Sequence, residues 1–194
     1  MKKPRLSKTD WITAAFRALT RGGPQAIRAE PIARDLGVSK GSFYWHFKDV
    51  ADLKRAMIDH WQSAATDMVI RGLEERDAAP RARLEQLLQL AASDRDRAYG
   101  GDLAEAAIRD WARYDPPVKA ALRRIDRRRL DYVAALLRDC GQGPEQARTN
   151  ADILYGALGG LKQLSYLEQV NPPAALQQLL DMMLPPETED EDIG

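Results

Sequence analysis

The sequence is poor in the residues from which catalytic, redox and metal sites are built. Its 194 residues include two histidines, His46 and His60, and one cysteine, Cys140. A lone thiol forms no internal disulfide, which fits a reducing compartment. The histidines fall on different predicted helices, and Asp49 and Asp59 beside them make no metal-ligand spacing. There is no Gly-rich phosphate loop and no nucleophile elbow. These absences exclude the usual hydrolase and metal constellations, so the chain is expected not to be an enzyme and to need no cofactor and no metal. Long apolar runs are also missing. The stretch Ile153 to Leu161, bracketed by Asp152 and Lys162, is far too short to span a bilayer. The basic start, Met1-Lys2-Lys3-Pro4-Arg5, lacks the apolar core of a secretory signal. A cytoplasmic protein without membrane contact is expected.

Net charge is zero, but its distribution is uneven. Residues 1–60 hold twelve Lys/Arg against six Asp/Glu, whereas residues 61–194 hold 17 against 23. A basic head on an acidic body places attraction for phosphate in the first third of the chain.

That third contains the most informative stretch, Glu30 to Leu53. Ile32, Ala33 and Leu36 fall on one face at helical spacing, Gly37 is a C-terminal stop, and Val38 is an apolar plug for the turn. Ser39 is positioned to cap a second short helix running through Phe47. Burying Phe43 and Phe47 leaves Lys40, Ser42, Tyr44 and His46 facing outward, all able to donate hydrogen bonds. Two short helices joined by a tight turn present one of them to a DNA major groove.

The run Ile32-Ala33, Leu36-Gly37-Val38-Ser39-Lys40-Gly41, Tyr44-Trp45-His46-Phe47-Lys48 and Leu53 closely resembles the helix-turn-helix of the TetR family of bacterial transcriptional regulators. The resemblance covers about the first quarter of the chain at motif level. It implies DNA contact by Arg28, Ser39, Lys40, Gly41, Ser42, Tyr44, Trp45, His46 and Lys48. Lys40 and Ser42 would reach base edges, Gly41 would allow close backbone approach, and Tyr44, His46 and Lys48 would anchor phosphates. Trp45 could equally pack inside the head. Two positions depart from the family pattern. Val50 stands where many relatives carry a phosphate-binding lysine, and Ala29-Glu30-Pro31 stands where Ser or Thr is common. DNA affinity should then lean on Arg28, Lys48 and the terminal Lys2, Lys3 and Arg5.

The rest of the chain reads as helices. Ser7 to Asp10 forms a capping box ahead of Ile12, Ala15, Phe16 and Leu19. From Val50 one helix is expected to run to about Arg76, forming a rod of roughly 40 Å. Further helices are expected around Leu84–Ala91, from Asp102 to Tyr114, from Val118 to Cys140 and from Glu145 to Val170, with a last one through Leu176 to Met183. Asp115-Pro116-Pro117 reads as a helix stop. No strand and no internal repeat is evident. The expected fold is all-α with about nine helices: an N-terminal helix-turn-helix DNA-binding head and a larger C-terminal ligand-binding and dimerisation body. The expected domains are 1–54, the helix-turn-helix; 55–186, the ligand-binding and dimerisation domain; and 187–194, an acidic tail expected to be disordered.

The resemblance also implies a homodimer formed by the last two long helices. Gly156 and Gly160, at a spacing that permits close helix approach, stand with Leu161, Leu164, Leu167, Leu176, Leu179, Leu180 and Met183 as interface candidates. It implies a small-molecule pocket in the body as well. Trp61, Met68, Leu87, Trp111, Tyr114, Tyr132 and Tyr155 are candidates for lining it, although such residues serve as plain core equally readily. No charged cluster among them points to an ionic ligand. The basic run Arg123 to Arg129 reads as a salt-bridged solvated face. The expected function is a ligand-responsive repressor that binds a near-palindromic double-stranded DNA operator as a homodimer and is released by an unknown small-molecule inducer. The alternatives are an activator, or a DNA-binding protein without a ligand switch.

Overall fold

The computed structural model describes residues 6–93, 102–165 and 170–184. Among them are nine α-helices and no strand: α1 Lys8–Gly22, α2 Ala29–Asp35, α3 Val50–Gln62, α4 Met68–Glu74, α5 Pro80–Ala92, α6 Asp102–Trp111, α7 Pro116–Asp139, α8 Pro144–Ser165 and α9 Pro172–Met183. Proline opens four of them, α5, α7, α8 and α9. A missing N–H is harmless there, because first-turn amides have no intrahelical acceptor. Pro116 and Pro117 therefore start α7 rather than only stopping α6. Asp115 prepares that start by accepting the Val118 N–H at 3.2 Å.

The chain divides into two compact units. The first comprises residues 1–69 and 94–126, the second residues 70–93 and 127–194. This division follows packing and does not fall at residue 54. The first unit takes in α6 and the start of α7 as well as the first three helices. Its core joins Trp11, Phe16 and Leu19 of α1 to Ile32, Phe43, Phe47, Leu53 and Met57, and further to Ile108, Trp111 and Ile125. The Arg109 guanidinium ties α6 to α7 by pairing with Asp126 at 2.9 Å while also holding Glu105 on its own helix at 2.8 Å. Trp111 donates its indole N–H to Asp115 at 3.0 Å, and the Lys54 ammonium lies 5.3 Å from the Trp111 ring.

The expected single rod from Val50 is helical to Glu74, but a π-helical turn, Ser63–Asp67, separates α3 from α4. The buried side chains explain it. Leu53, Met57 and Trp61 follow each other at four-residue steps, and the next, Thr66, comes after five. An uninterrupted α-helix would rotate Thr66, Ile70 and Leu73 off the buried stripe. One wider turn absorbs the extra residue and restores them.

The second unit packs Leu84 and Leu88 of α5 against Leu136 and Leu137 of α7, Ala147, Ala151 and Leu154 of α8, and Leu176 and Leu180 of α9. Arg81 fastens α5 to the end of α9 by bonding Glu85, Asp181 and the Leu184 carbonyl. Buried Asn150 donates to Gln142, which in turn donates to the Met183 carbonyl, both at 3.0 Å. No described helix is long and apolar enough to cross a membrane.

Candidate nucleic-acid interface

The turn after α2 is built as the sequence predicts. Gly37 adopts φ 66°, a left-handed conformation that glycine takes without strain. The Val38 N–H reaches back to the Ala33 carbonyl at 2.9 Å and the Gly37 N–H to Arg34 at 3.1 Å, closing α2 in a Schellman arrangement. Val38 is half-buried against the head core.

The second element of the motif differs from expectation. Lys40–Trp45 forms a 3₁₀ turn rather than an α-helix, and the Ser39 side chain makes no capping bond. The Ser39 carbonyl instead accepts the Ser42 N–H at 3.0 Å, and the Phe43 carbonyl accepts both His46 and Phe47 N–H groups at 3.0 Å. Aromatic packing holds the turn in place. Phe43 is fully buried, edge-on to Trp11 with ring centroids 5.5 Å apart, and 5.5 Å from Phe47. The Lys8 ammonium lies 5.2 Å from the Phe47 ring.

With Phe43 and Phe47 directed inward, the other side chains of the turn face out. Tyr44 is 59% exposed and Trp45 84%. That exposure removes Trp45 from the head core, against the packing alternative. Ser39, Lys40, Gly41 and Lys48 are exposed, and Ser42 and His46 half-buried. Beside the turn runs an open groove of about 450 Å³, whose walls include Arg28, Glu30, Arg34, Lys40, Tyr44 and Val50. Arg28 and Lys40 thus stand together at one cleft. Arg34 joins them, a residue the motif reading missed. It lies on the solvent side of α2, opposite Ile32 and Ala33, and pairs with Glu30 at 3.2 Å. The signal in the sequence was that four-residue spacing of opposite charges. Lys2, Lys3 and Arg5 lie outside the described residues.

A capping box on α1 and a side-chain cap on α3 fix the helices around this face. Ser7 and Asp10 exchange bonds at the start of α1, the Ser7 N–H reaching the carboxylate at 2.7 Å and the Asp10 N–H the hydroxyl at 3.2 Å. Asp49 accepts the Asp52 N–H at 2.7 Å, and Asp52 accepts the Lys48 N–H at 3.1 Å. The Ser7 amide first, then its hydroxyl, holds the Asp10 carboxyl below its ordinary value. The Lys48 amide, followed by Arg55, does the same for Asp52. Because Asp52 reaches one residue past the Asp49 cap to fix the Lys48 backbone, the outward side of the turn is held at both ends.

The other expected sites are less concentrated. Of the pocket candidates, Trp61 and Trp111 are core residues of the first unit, while Met68 is 56% and Tyr114 82% exposed. Leu87, Tyr132 and Tyr155 are half-buried in the second unit. Tyr155 accepts a bond from Arg129 at 3.1 Å. Of the interface candidates, Leu176 and Leu180 are fully buried in the chain's own core. This corrects their expected place on a contact surface, since α5 already covers that side of α9. Leu161, Leu179 and Met183 pack at the edge of the same core, whereas Gly156, Gly160 and Leu164 face solvent. Leu167 and the acidic tail lie outside the described residues. In and just beyond the basic run, Asp126 pairs with Arg109 and Asp131 with Arg148, so both acids bridge to neighbouring helices.

Residues 12–57 match the family model described as bacterial regulatory proteins, tetR family. The fold as a whole is similar to that of solved regulators. A TetR-family transcriptional regulator from Rhodococcus sp. superposes with a TM-score of 0.72 at 22% identity, covering 91% of this chain and 96% of its own. A TetR transcriptional regulator from Legionella pneumophila gives 0.77 at 13% identity, covering 94% and 100%. A transcriptional regulator from Saccharomonospora viridis in complex with choline gives 0.72 at 20% identity, covering 91% and 94%. No curated protein sequence matches the chain.

Proposed function

With a tetR-family domain at its head and the fold of tetR-family transcriptional regulators throughout, this chain is one that we propose acts as a DNA-binding repressor, gripping a near-palindromic operator as a homodimer and released by a small molecule. The observation that carries the reading is the inversion of side chains in the 40–47 turn. Two phenylalanines are buried as anchors, while Tyr44 and Trp45, large residues that folding would ordinarily shelter, are left exposed beside a cleft edged by Arg28 and Lys40. Lys40, Gly41 and Ser42 lead into the major groove and read base edges. Tyr44, Trp45 and His46 flank them, and Arg28, Ser39 and Lys48 hold the phosphates on either side.

Dimerisation is assigned to the face of α8 that the described residues leave uncovered. Ile153 is 45% and Leu164 43% exposed, and a Cβ added at Gly156 or Gly160 would meet nothing within 4 Å. Met182 of α9 is 74% exposed. Apolar side chains around bare glycine backbone suit close, two-fold helix pairing, which also sets two reading turns about one DNA turn apart. Functionally, residues 1–54 then form the DNA-binding domain and 55–186 the ligand-binding and dimerisation domain. The Saccharomonospora viridis complex supports a body that takes small ligands. An effector acts by shifting the α3–α4 helix, which it can do only by binding the released state more tightly. The interrupted ladder at Ser63–Asp67 is where that helix yields most readily.

A gel-shift of the purified protein on the DNA upstream of its own coding region tests the reading. Salt-sensitive, specific retardation that disappears in a Lys40→Ala/Tyr44→Ala variant supports it. Retardation that survives in that variant rejects the turn as the reading element.

A further inference from the structure

The two acids of α2 are held in different ways. Asp35, at its C-terminal end, is clasped from α1 by Arg17 at 2.9 Å and Arg21 at 3.8 Å, so it joins two helices of the head. Glu30 instead meets Arg34 of its own helix through one bond, from the guanidinium Nη2 to Oε1 at 3.2 Å. The Arg34 and Glu30 side chains are 76% and 64% exposed, and water screens a pair at this spacing so far that it contributes little to stability. Most of the guanidinium is left unengaged. An arginine has five N–H donors, and among the described residues Glu30 is the sole acceptor of Arg34.

Position sets this pair apart. Both side chains line the open groove of about 450 Å³ beside the 40–47 turn, together with Arg28, Lys40, Tyr44 and Val50. Glu30 is the one acid on these walls, against the cations Arg28, Arg34 and Lys40. A carboxylate in a cationic cleft weakens its attraction for phosphate. The planar guanidinium matches a phosphate diester, which accepts two parallel N–H bonds, better than it matches one carboxylate oxygen. We propose that Glu30 and Arg34 form a charge latch: a DNA phosphate displaces Glu30 from Arg34, so that Arg34 is a further backbone anchor at the cleft and Glu30 the restraint on its strength. The released carboxylate stays at the first turn of α2, where no side chain caps the helix and its end favours negative charge. The proposal rests on the DNA-binding reading above. A phosphate carries no base information, so the latch sets affinity and salt dependence rather than sequence choice.

The test titrates the full-length protein onto two labelled duplexes, the DNA upstream of its coding region and a scrambled sequence of equal length, from about 50 to 200 mM salt. Wild type is compared with Glu30→Gln, Arg34→Lys and the double variant Glu30→Gln/Arg34→Gln. The double variant is decisive, because it keeps the net charge of the wild type. It should bind both duplexes more weakly, with a log–log salt slope shallower by about 0.9 per protomer, or about 1.8 for a dimer. Glu30→Gln should tighten both by roughly 2- to 5-fold per protomer, since Arg34 then leaves no partner behind. Arg34→Lys should keep the slope, a point charge serving the phosphate in place of the fork. Melting temperatures should stay close to that of the wild type throughout. Wild-type affinity and slope in the double variant would overturn the proposal and make the pair a bystander, and weakening on one duplex alone would overturn it by making the contact one to bases. If the double variant binds as the wild type does while Lys40→Ala/Tyr44→Ala loses specific binding, the latch is rejected and the reading turn stands. If the wild type binds neither duplex, the DNA-binding reading fails and the latch with it.

Discussion

Replacing Val50 by lysine should change how the protein responds to salt by an amount that the structure fixes. Val50 opens α3 and lines the cleft with Arg28, Lys40 and Tyr44, so a longer side chain there extends along the proposed path of a DNA strand. The nearest cation on the same helix, Lys54, is directed to the Trp111 ring. Neighbouring carboxylates are already engaged. Asp49 caps the Asp52 amide, Asp52 holds the Lys48 amide and Arg55, and Glu30 pairs with Arg34. The introduced ammonium is therefore left for a phosphate. Each phosphate neutralised steepens the log–log salt slope by about 0.9, or about 1.8 for a dimer with one such contact per protomer. Across a fourfold change from about 50 to 200 mM salt, that amounts to about 12-fold more loss of affinity in Val50→Lys than in the wild type. Fluorescence anisotropy on a specific and a scrambled duplex measures both slopes. Tightening on both, with the steeper slope, is expected because a phosphate contact carries no sequence information. An unchanged slope, or tightening on one sequence alone, refutes the placement of Val50 at the backbone.

Three further outcomes follow from the packing and the hydrogen bonds. Phe43→Ala empties a fully buried site against Trp11 and Phe47 and should lower stability by about 3–5 kcal/mol, read by urea denaturation, with DNA binding lost even at temperatures where the variant stays folded. The depressed carboxyls of Asp10 and Asp52 contribute stability that is present above the ordinary aspartate value of 3.8 and lost as pH falls through their lower folded values. Asp10→Asn/Asp52→Asn should therefore lose less stability than the wild type between about pH 5 and about pH 3, and parallel losses would contradict the bonds from the Ser7 and Lys48 amides to these carboxylates. Burial, ahead of any charge, raises the Cys140 thiol, so alkylation by iodoacetamide at mildly alkaline pH should run slower in the folded protein than in urea. Equal rates would place the thiol in solvent.

The head was legible because its signals are local. Gly37 with its left-handed turn, the Ser7–Asp10 box and the Phe43/Phe47 pair each act within five residues, a range over which sequence spacing alone determines geometry. The 3₁₀ form of the 40–45 turn was not legible in the same way. The Ser39 hydroxyl looked like a cap, but a carbonyl bond to Ser42 and the pull of Phe43 toward Trp11 set the tighter winding. The π-turn was recoverable from the five-residue step between Trp61 and Thr66, once burial shows which residues form the stripe. Long-range partners were beyond reach. Nothing in the spacing of α5 and α9 announces that Arg81 joins Asp181 or that Leu176 and Leu180 face α5.

The central claim is that the 40–47 turn reads DNA from a two-fold dimer. Selection of binding sites from random genomic fragments by the full-length protein, with Lys40→Ala/Tyr44→Ala carried in parallel, tests it most directly. Recovery of a near-palindromic site whose half-sites lie about one helical turn apart, or a multiple of that, and which the variant fails to enrich, is the predicted result. A single unpaired half-site would contradict the dimer, and no enrichment above the variant would contradict the reading of DNA by this turn.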